Sequence, residues 1–147
     1  MRMAAPLILV QKFLSIWDPH NQYSLAEWQT AQEQATFWKA KQTAEPEDSL
    51  HELGFTIEYK SLSVPGLWVW GRTVLADKRV YLDKEALQFL CKQSVLLPEP
   101  PVSDWLQKLV LAHELFHIIA NAHKVEHSEL AAIIFSFNCL WDCANCT

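Results

Sequence analysis

LVLAHELFHIIA, residues 109–120, is apolar at every position except His113, Glu114 and His117. A helix that is apolar nearly all round is predicted to be buried. Ionisable groups inside it are costly unless they share a partner or hold something. His113 and His117 are four apart, so they leave one helical face a turn apart. This is the HExxH pattern: two imidazoles at zinc-ligand spacing, with a Glu between them that can act as general base toward an activated water. The bland alternative is two core histidines satisfied by backbone carbonyls or a carboxylate.

A zinc site of this kind needs a third protein ligand and leaves the fourth position to water. Asn121 to His127 (NAHKVEH) is a polar break, and the apolar run from Ser128 to Trp141 is predicted to return as the second arm of a helical hairpin. Glu129 lies in the opening turn of that arm, about as far past the break as His117 lies before it, and so can face the histidines. Its ordinary reading is an acidic residue at a helix N-terminus, where the dipole favours it. His123 is the main rival, because HELFHIIANAH has the HExxHxxGxxH spacing of metzincins. Against it, Ala120 stands where that pattern needs a turning Gly, and the only methionines, Met1 and Met3, provide no downstream Met-turn. His127 and Glu126 are further candidates. A histidine of the pair His123 and His127 that is not a ligand can line the cleft and donate to a developing oxyanion, or be a solvated loop residue.

Working outward, Leu7 to Trp17 reads as a first helix. Ser24 and Glu27 have capping-box spacing, and Leu25, Trp28, Ala31, Ala35 and Trp38 follow at helical intervals as a core stripe. Thr43 to Asp48 (TAEPED) reads as a linker, with a short helix from Ser49 to Leu53 before Gly54. Phe55, Ile57 and Tyr59 alternate with polar residues, Leu67 to Leu75 is rich in Trp, Val and Thr, and Arg79 to Leu82 follows the turn Ala76-Asp77-Lys78. These are strands. Asp83 is placed to cap a helix from Lys84 to Leu97. The loop PEPP (98–101) precedes Ser103, which starts the HExxH helix. The order predicts an α+β fold, a small three-stranded sheet against helices, with 1–48 as a helical part and 53–147 as sheet plus active-site helices of one domain.

The 147 residues, half of them apolar and 12% aromatic, suffice for one core without staples. Twelve basic against seventeen acidic side chains give a charge of -5, and no Lys/Arg-rich run suggests a nucleic-acid surface. The longest apolar stretch, Ala4 to Val10, contains Pro6 and is too short to span a bilayer. Three of the four cysteines, Cys139, Cys143 and Cys146, crowd the last nine positions, unlike a dispersed disulfide framework, so a reducing cytoplasm is expected. Buried thiols are their common role; a redox or metal clip, with Cys91 as a fourth thiolate, is the rarer one. Three glycines do not make a phosphate loop.

With HELFH placed after a small sheet and before a helix carrying Glu129, the chain resembles the ImmA/IrrE family of gluzincin-type metallopeptidases over about Leu53 to Phe137. The segments LGFTIEYKSLSVPGLWVWGRTVLADKRVYLDKEAL and LVLAHELFHII carry the resemblance. It implies a zincin-like fold, zinc held by His113, His117 and Glu129, and Glu114 as general base. Departures are ELAAIIF in the downstream block and Phe116 where Gly is common. The resemblance implies peptide-bond hydrolysis of a protein substrate, with repressor-type transcriptional regulators among such partners. Without the helix-turn-helix domain of some relatives, direct DNA contact is not expected. A silent, zinc-stabilised interaction domain is the alternative from another class, and a cysteine-based redox sensor a third. The strand Arg79 to Leu82 is expected to offer an edge for pairing with an extended substrate.

Overall fold

The computed structural model describes residues 7–17, 22–65, 69–92 and 103–145. The element order among them is α1 (Leu7–Trp17), α2 (Leu25–Ala40), α3 (Pro46–Glu52), β1 (Thr56–Tyr59), β2 (Gly71–Val74), β3 (Arg79–Leu82), α4 (Lys84–Lys92), α5 (Ser103–Ala122) and α6 (Glu129–Asn145). The class is α+β, with six helices and one small mixed sheet among the described residues.

α2 starts as its sequence dictates. Ser24 Oγ accepts from the Glu27 amide and the Glu27 carboxylate accepts from the Ser24 amide, each at 3.1 Å, so two orphan donors of the first turn are satisfied. Ala31, Ala35 and Trp38 form its buried stripe, and the two alanines let α2 pack closely on α6. Leu25 departs from the expected stripe: as the first residue of the helix it stands beyond the core and is 76% exposed.

The linker expected over Thr43 to Asp48 is in part helix. α3 begins at Pro46, whose missing N–H is no loss in a first turn and whose φ suits it, with Glu47 and Asp48 favoured by the dipole. It ends in a Schellman turn: the Gly54 amide reaches the His51 carbonyl and the Phe55 amide the Leu50 carbonyl, with Gly54 at φ 86.

The sheet order is β1-β3-β2. β2 and β3 form an antiparallel hairpin over Leu75 to Lys78, and β1 joins the other side of β3 in parallel, Thr56 opposite Arg79 through Tyr59 opposite Leu82. β3 is therefore the central strand, and the edge expected of Arg79 to Leu82 is not there. Both of its flanks already carry ladders, so no substrate strand can add to it. Its alternation fits the centre of a sheet: Val80 and Leu82 are fully buried while Arg79 and Tyr81 face outward.

Asp83 ends β3 and opens α4. One carboxylate oxygen accepts from the Glu85 and Ala86 amides at 3.0 and 3.2 Å, capping the helix as predicted. The other accepts from the Leu62 and Ser63 amides, both at 2.9 Å, tying down the segment that leads to β2. The predicted continuation of α4 to Leu97 and the PEPP loop lie outside the described residues.

α5 and α6 supply most of the core. Every residue from Leu109 to Phe116 is buried, as are Leu130 to Leu140, and one contiguous cluster joins them to Val10, Ala31, Leu50, Val80 and Leu87. Phe116 meets Phe135 at 5.1 Å between ring centroids, and Phe13 of α1 stands edge-on to Phe137 at 5.2 Å. Among the described residues, no helix is long and apolar enough to cross a membrane.

Candidate metal centre

α5 projects His113 and His117 toward the N-terminus of α6, where Glu129 begins the helix. Ser128 sets that start, its hydroxyl accepting from the Ala131 amide at 3.1 Å. The three side chains converge. His113 Nε2 lies 3.2 Å from His117 Nε2, Glu129 Oε2 is 3.0 Å from His113 Nε2, and Glu129 Oε1 is 2.8 Å from His117 Nε2. Bonds of about 2.0–2.2 Å at tetrahedral angles around zinc separate neighbouring donor atoms by roughly 3.3 Å. The observed spacings are a few tenths of an ångström tighter, so a small outward relaxation of the carboxylate accommodates an ion. Imidazole nitrogens in the set favour a transition metal or zinc over calcium or magnesium, which prefer oxygen alone.

The site is graded from core to solvent. His113 is 4% exposed, the His117 side chain 26% and the Glu129 side chain 46%. Burial pushes the Glu129 carboxyl up, but the hydrogen bonds and charges of His113 and His117 pull it further down, well below the usual carboxylate range. Glu129 is therefore an anion at neutral pH, the form in which it can be a ligand.

Glu114 points instead toward the sheet. Thr73 of β2 donates its hydroxyl hydrogen to Glu114 Oε2 at 2.6 Å, a short charge-assisted bond that fixes the carboxylate. Gly71, two residues earlier on the same strand face, leaves room for it. A Cβ on Gly71 would lie 2.6 Å from Val110 Cγ1 and 3.4 Å from Glu114 Oε1. The absence of that carbon lets β2 lie directly on α5 beside the motif. Sequence reading did not single out Thr73 or Gly71.

The rival histidines take other places. α5 does not turn at Ala120; it runs on to Ala122 and closes with Lys124 in the left-handed region at φ 54, its amide on the Asn121 carbonyl and that of Val125 on the Ala120 carbonyl. His123 is thereby carried away from the cluster and lies against Trp38, with ring centroids 4.8 Å apart. It lines a cavity of about 500 Å³ with Phe37, Trp38, Leu115 and Ile119, and none of the cluster residues borders that cavity. His127 does reach the site, but from behind: its Nε2 is 2.6 Å from His117 Nδ1, the ring nitrogen that does not face Glu129. Glu126 is exposed, and its carbonyl accepts from Gln34 of α2 at 2.7 Å.

Of the cysteines, Cys139 is buried in α6. The side chains of Cys91 and Cys143, and all of Cys146, lie outside the described residues, and with them the clip, the rarer of the two readings. Among the described residues, His113, His117 and Glu129 form the one group that can hold a metal ion. No protein-family model, no curated protein and no solved structure matches this chain.

Proposed function

We propose that the chain is a zinc-dependent endopeptidase with a zincin-like arrangement of the ImmA/IrrE type, acting on a protein substrate. The observation that carries this reading is the convergence of two imidazole nitrogens and one carboxylate within 3.2 Å of one another, with Glu114, the residue after His113, held separately by Thr73. A zinc ion bound there supplies Lewis acidity toward a peptide carbonyl and makes water a competent nucleophile near neutral pH. Glu114 takes the proton of the attacking water and returns it to the departing amine nitrogen. Thr73 anchors Oε2, leaving Oε1 as the oxygen that exchanges the proton. The opening of the cluster through Glu129 gives a substrate its approach, since that side chain is the most exposed of the three.

Elemental analysis of protein purified without chelator or affinity tag tests the reading. One zinc per chain is expected, lost in His117→Ala and Glu129→Ala and kept in His123→Ala. Loss with His123→Ala and retention with Glu129→Ala would transfer the third ligand to the metzincin spacing. A folded wild type without metal would remove the peptidase reading and leave HELFH as core histidines in an interaction domain. With zinc established, Glu114→Gln serves as a trap for the cleaved partner, a transcriptional regulator being the first class to examine.

A further inference from the structure

We propose that His127 is the positioning residue of this centre: it holds the ring of His117 in the tautomer that presents Nε2 to a cation as a bare donor, a role that rests on the metal reading above. Three contacts in series carry the argument. His127 Nδ1 lies 3.2 Å from the Val125 carbonyl, His127 Nε2 lies 2.6 Å from His117 Nδ1, and His117 Nε2 faces His113 Nε2 and Glu129 Oε1 at 3.2 and 2.8 Å.

A carbonyl oxygen only accepts, so the proton of that first contact sits on His127 Nδ1. A neutral imidazole protonated at Nδ1 has its lone pair at Nε2. The hydrogen in the 2.6 Å contact must then come from His117 Nδ1. Glu129 Oε1, at 2.8 Å, can only accept from His117 Nε2, so a cation entering the cluster takes the place of that Nε2 proton and leaves a neutral His117 protonated at Nδ1, with its lone pair at Nε2. The direction of one backbone carbonyl is thus transmitted through two rings to the donor atom of the cluster. Metal-ligating histidines regularly donate their second nitrogen to a carboxylate or a carbonyl, which sets tautomer and ring orientation. Here a second imidazole fills that place, itself aligned by backbone.

The loop that carries His127 is anchored on both sides. The left-handed Lys124 and the bond from the Val125 amide to the Ala120 carbonyl fix its beginning. The Gln34 amide group holds the Glu126 carbonyl at 2.7 Å, and the Phe116 ring stands edge-on to His127 at 5.7 Å. His127 is accordingly not a third ligand. Its Nε2 is occupied on the side of the His117 ring opposite Glu129.

Zinc titration against a chromophoric chelator tests this, with wild type, His127→Leu, His127→Gln and His117→Ala compared. The wild type is expected to bind one zinc. His127→Leu keeps that stoichiometry but binds roughly 10- to 100-fold more weakly. In His127→Gln the side-chain oxygen reaches the former Nε2 position, accepts the same hydrogen and restores affinity to within a few-fold of wild type. Nitrogen-15 imidazole spectra of the wild type supply a second readout: His127 carries its proton on Nδ1 and none on Nε2, with and without zinc. Undiminished zinc affinity in His127→Leu overturns the proposal. So does a His127 protonated at Nε2 alone, or a loss of zinc in both His127 variants as complete as in His117→Ala, which would make His127 a ligand. The spectra and His127→Gln decide the matter even where His127→Leu fails to fold. A folded wild type that binds no zinc overturns the metal reading itself, an outcome distinct from each of these.

Discussion

Replacing Asp83 by Asn changes one atom, yet it should cost about 3 kcal/mol of stability. The carboxylate accepts four backbone amides, two on each oxygen: Leu62 and Ser63 on one, Glu85 and Ala86 on the other. Asn keeps one acceptor oxygen and turns an NH2 group toward the other pair, so whichever way it flips two N–H donors lose their acceptor. Leaving a buried donor unsatisfied costs about 1–3 kcal/mol. Asp83 is only 3% exposed, and water cannot fully repair the loss. Burial raises the Asp83 carboxyl, but the hydrogen bonds from Leu62, Ser63 and Ala86 outweigh it and leave the group below its ordinary value. An unfolded Asp titrates near ~3.9. Between that value and the lower folded one, the unfolded chain binds more protons, so stability rises with pH there. The carboxylate's contribution is therefore complete above about pH 4 to 5 and lost as pH falls through the folded value. Urea unfolding followed by fluorescence of the seven tryptophans reads the difference between wild type and Asp83→Asn at pH 7 and at successively lower pH. A difference below about 0.5 kcal/mol at pH 7 would refute the four-amide accounting. A difference that holds constant through acidification, while both proteins remain folded, would refute the titration argument.

Thr73→Val removes the hydrogen bond to Glu114 at nearly constant shape; zinc content should be unchanged while turnover of a trapped substrate falls roughly 10- to 100-fold, as a bond to a charged group worth about 1.5–3 kcal/mol predicts, with Thr73→Ser recovering it. Gly71→Ala drives a methyl into Val110 Cγ1 at 2.6 Å and should destabilise by about 1–3 kcal/mol in thermal or urea unfolding. Lys124→Gly relieves a left-handed side-chain residue at φ 54 and should stabilise by about 1 kcal/mol, read in the same way, because its backbone hydrogen bonds survive the change. Val80→Pro, in the central strand and fully buried, should cost about 3 kcal/mol or more and abolish cooperative unfolding, the mark of a broken sheet rather than a blocked edge.

What could be read from the chain follows the range over which each feature is determined. The HExxH face, the capping box of Ser24 and Glu27, and the cap at Asp83 depend on residues within a turn or two, and local periodicity displays them. Glu129 was accessible because only a short loop separates two helices that must pack together. The strand order was not. Alternation of Arg79, Val80, Tyr81 and Leu82 is the same whether β3 lies at an edge or in the middle, and the parallel partner comes from more than twenty residues upstream. Thr73 reaches Glu114 across 41 residues with no period to mark it. Leu25 obeyed the helical spacing but sat where the helix had not yet reached the core, a matter of how α2 enters rather than of its pattern.

The choice among the four downstream candidates was open in the sequence for a related reason. His123, Glu126, His127 and Glu129 all carry groups that zinc accepts, so ligand type cannot rank them. Where α5 stops does rank them. Had the helix broken at Ala120, as a Gly there would favour, the following residues could have folded back toward His113 and His117. Instead the Ala120 carbonyl receives the Val125 amide and the chain reverses only at Lys124. That one termination swings His123 onto Trp38, brings His127 behind His117 and delivers Glu129 to the front of both histidines. The composition of the cluster is therefore fixed by helix capping, and moving the end of α5 by a turn would change which side chains meet His113 and His117 without altering any of them.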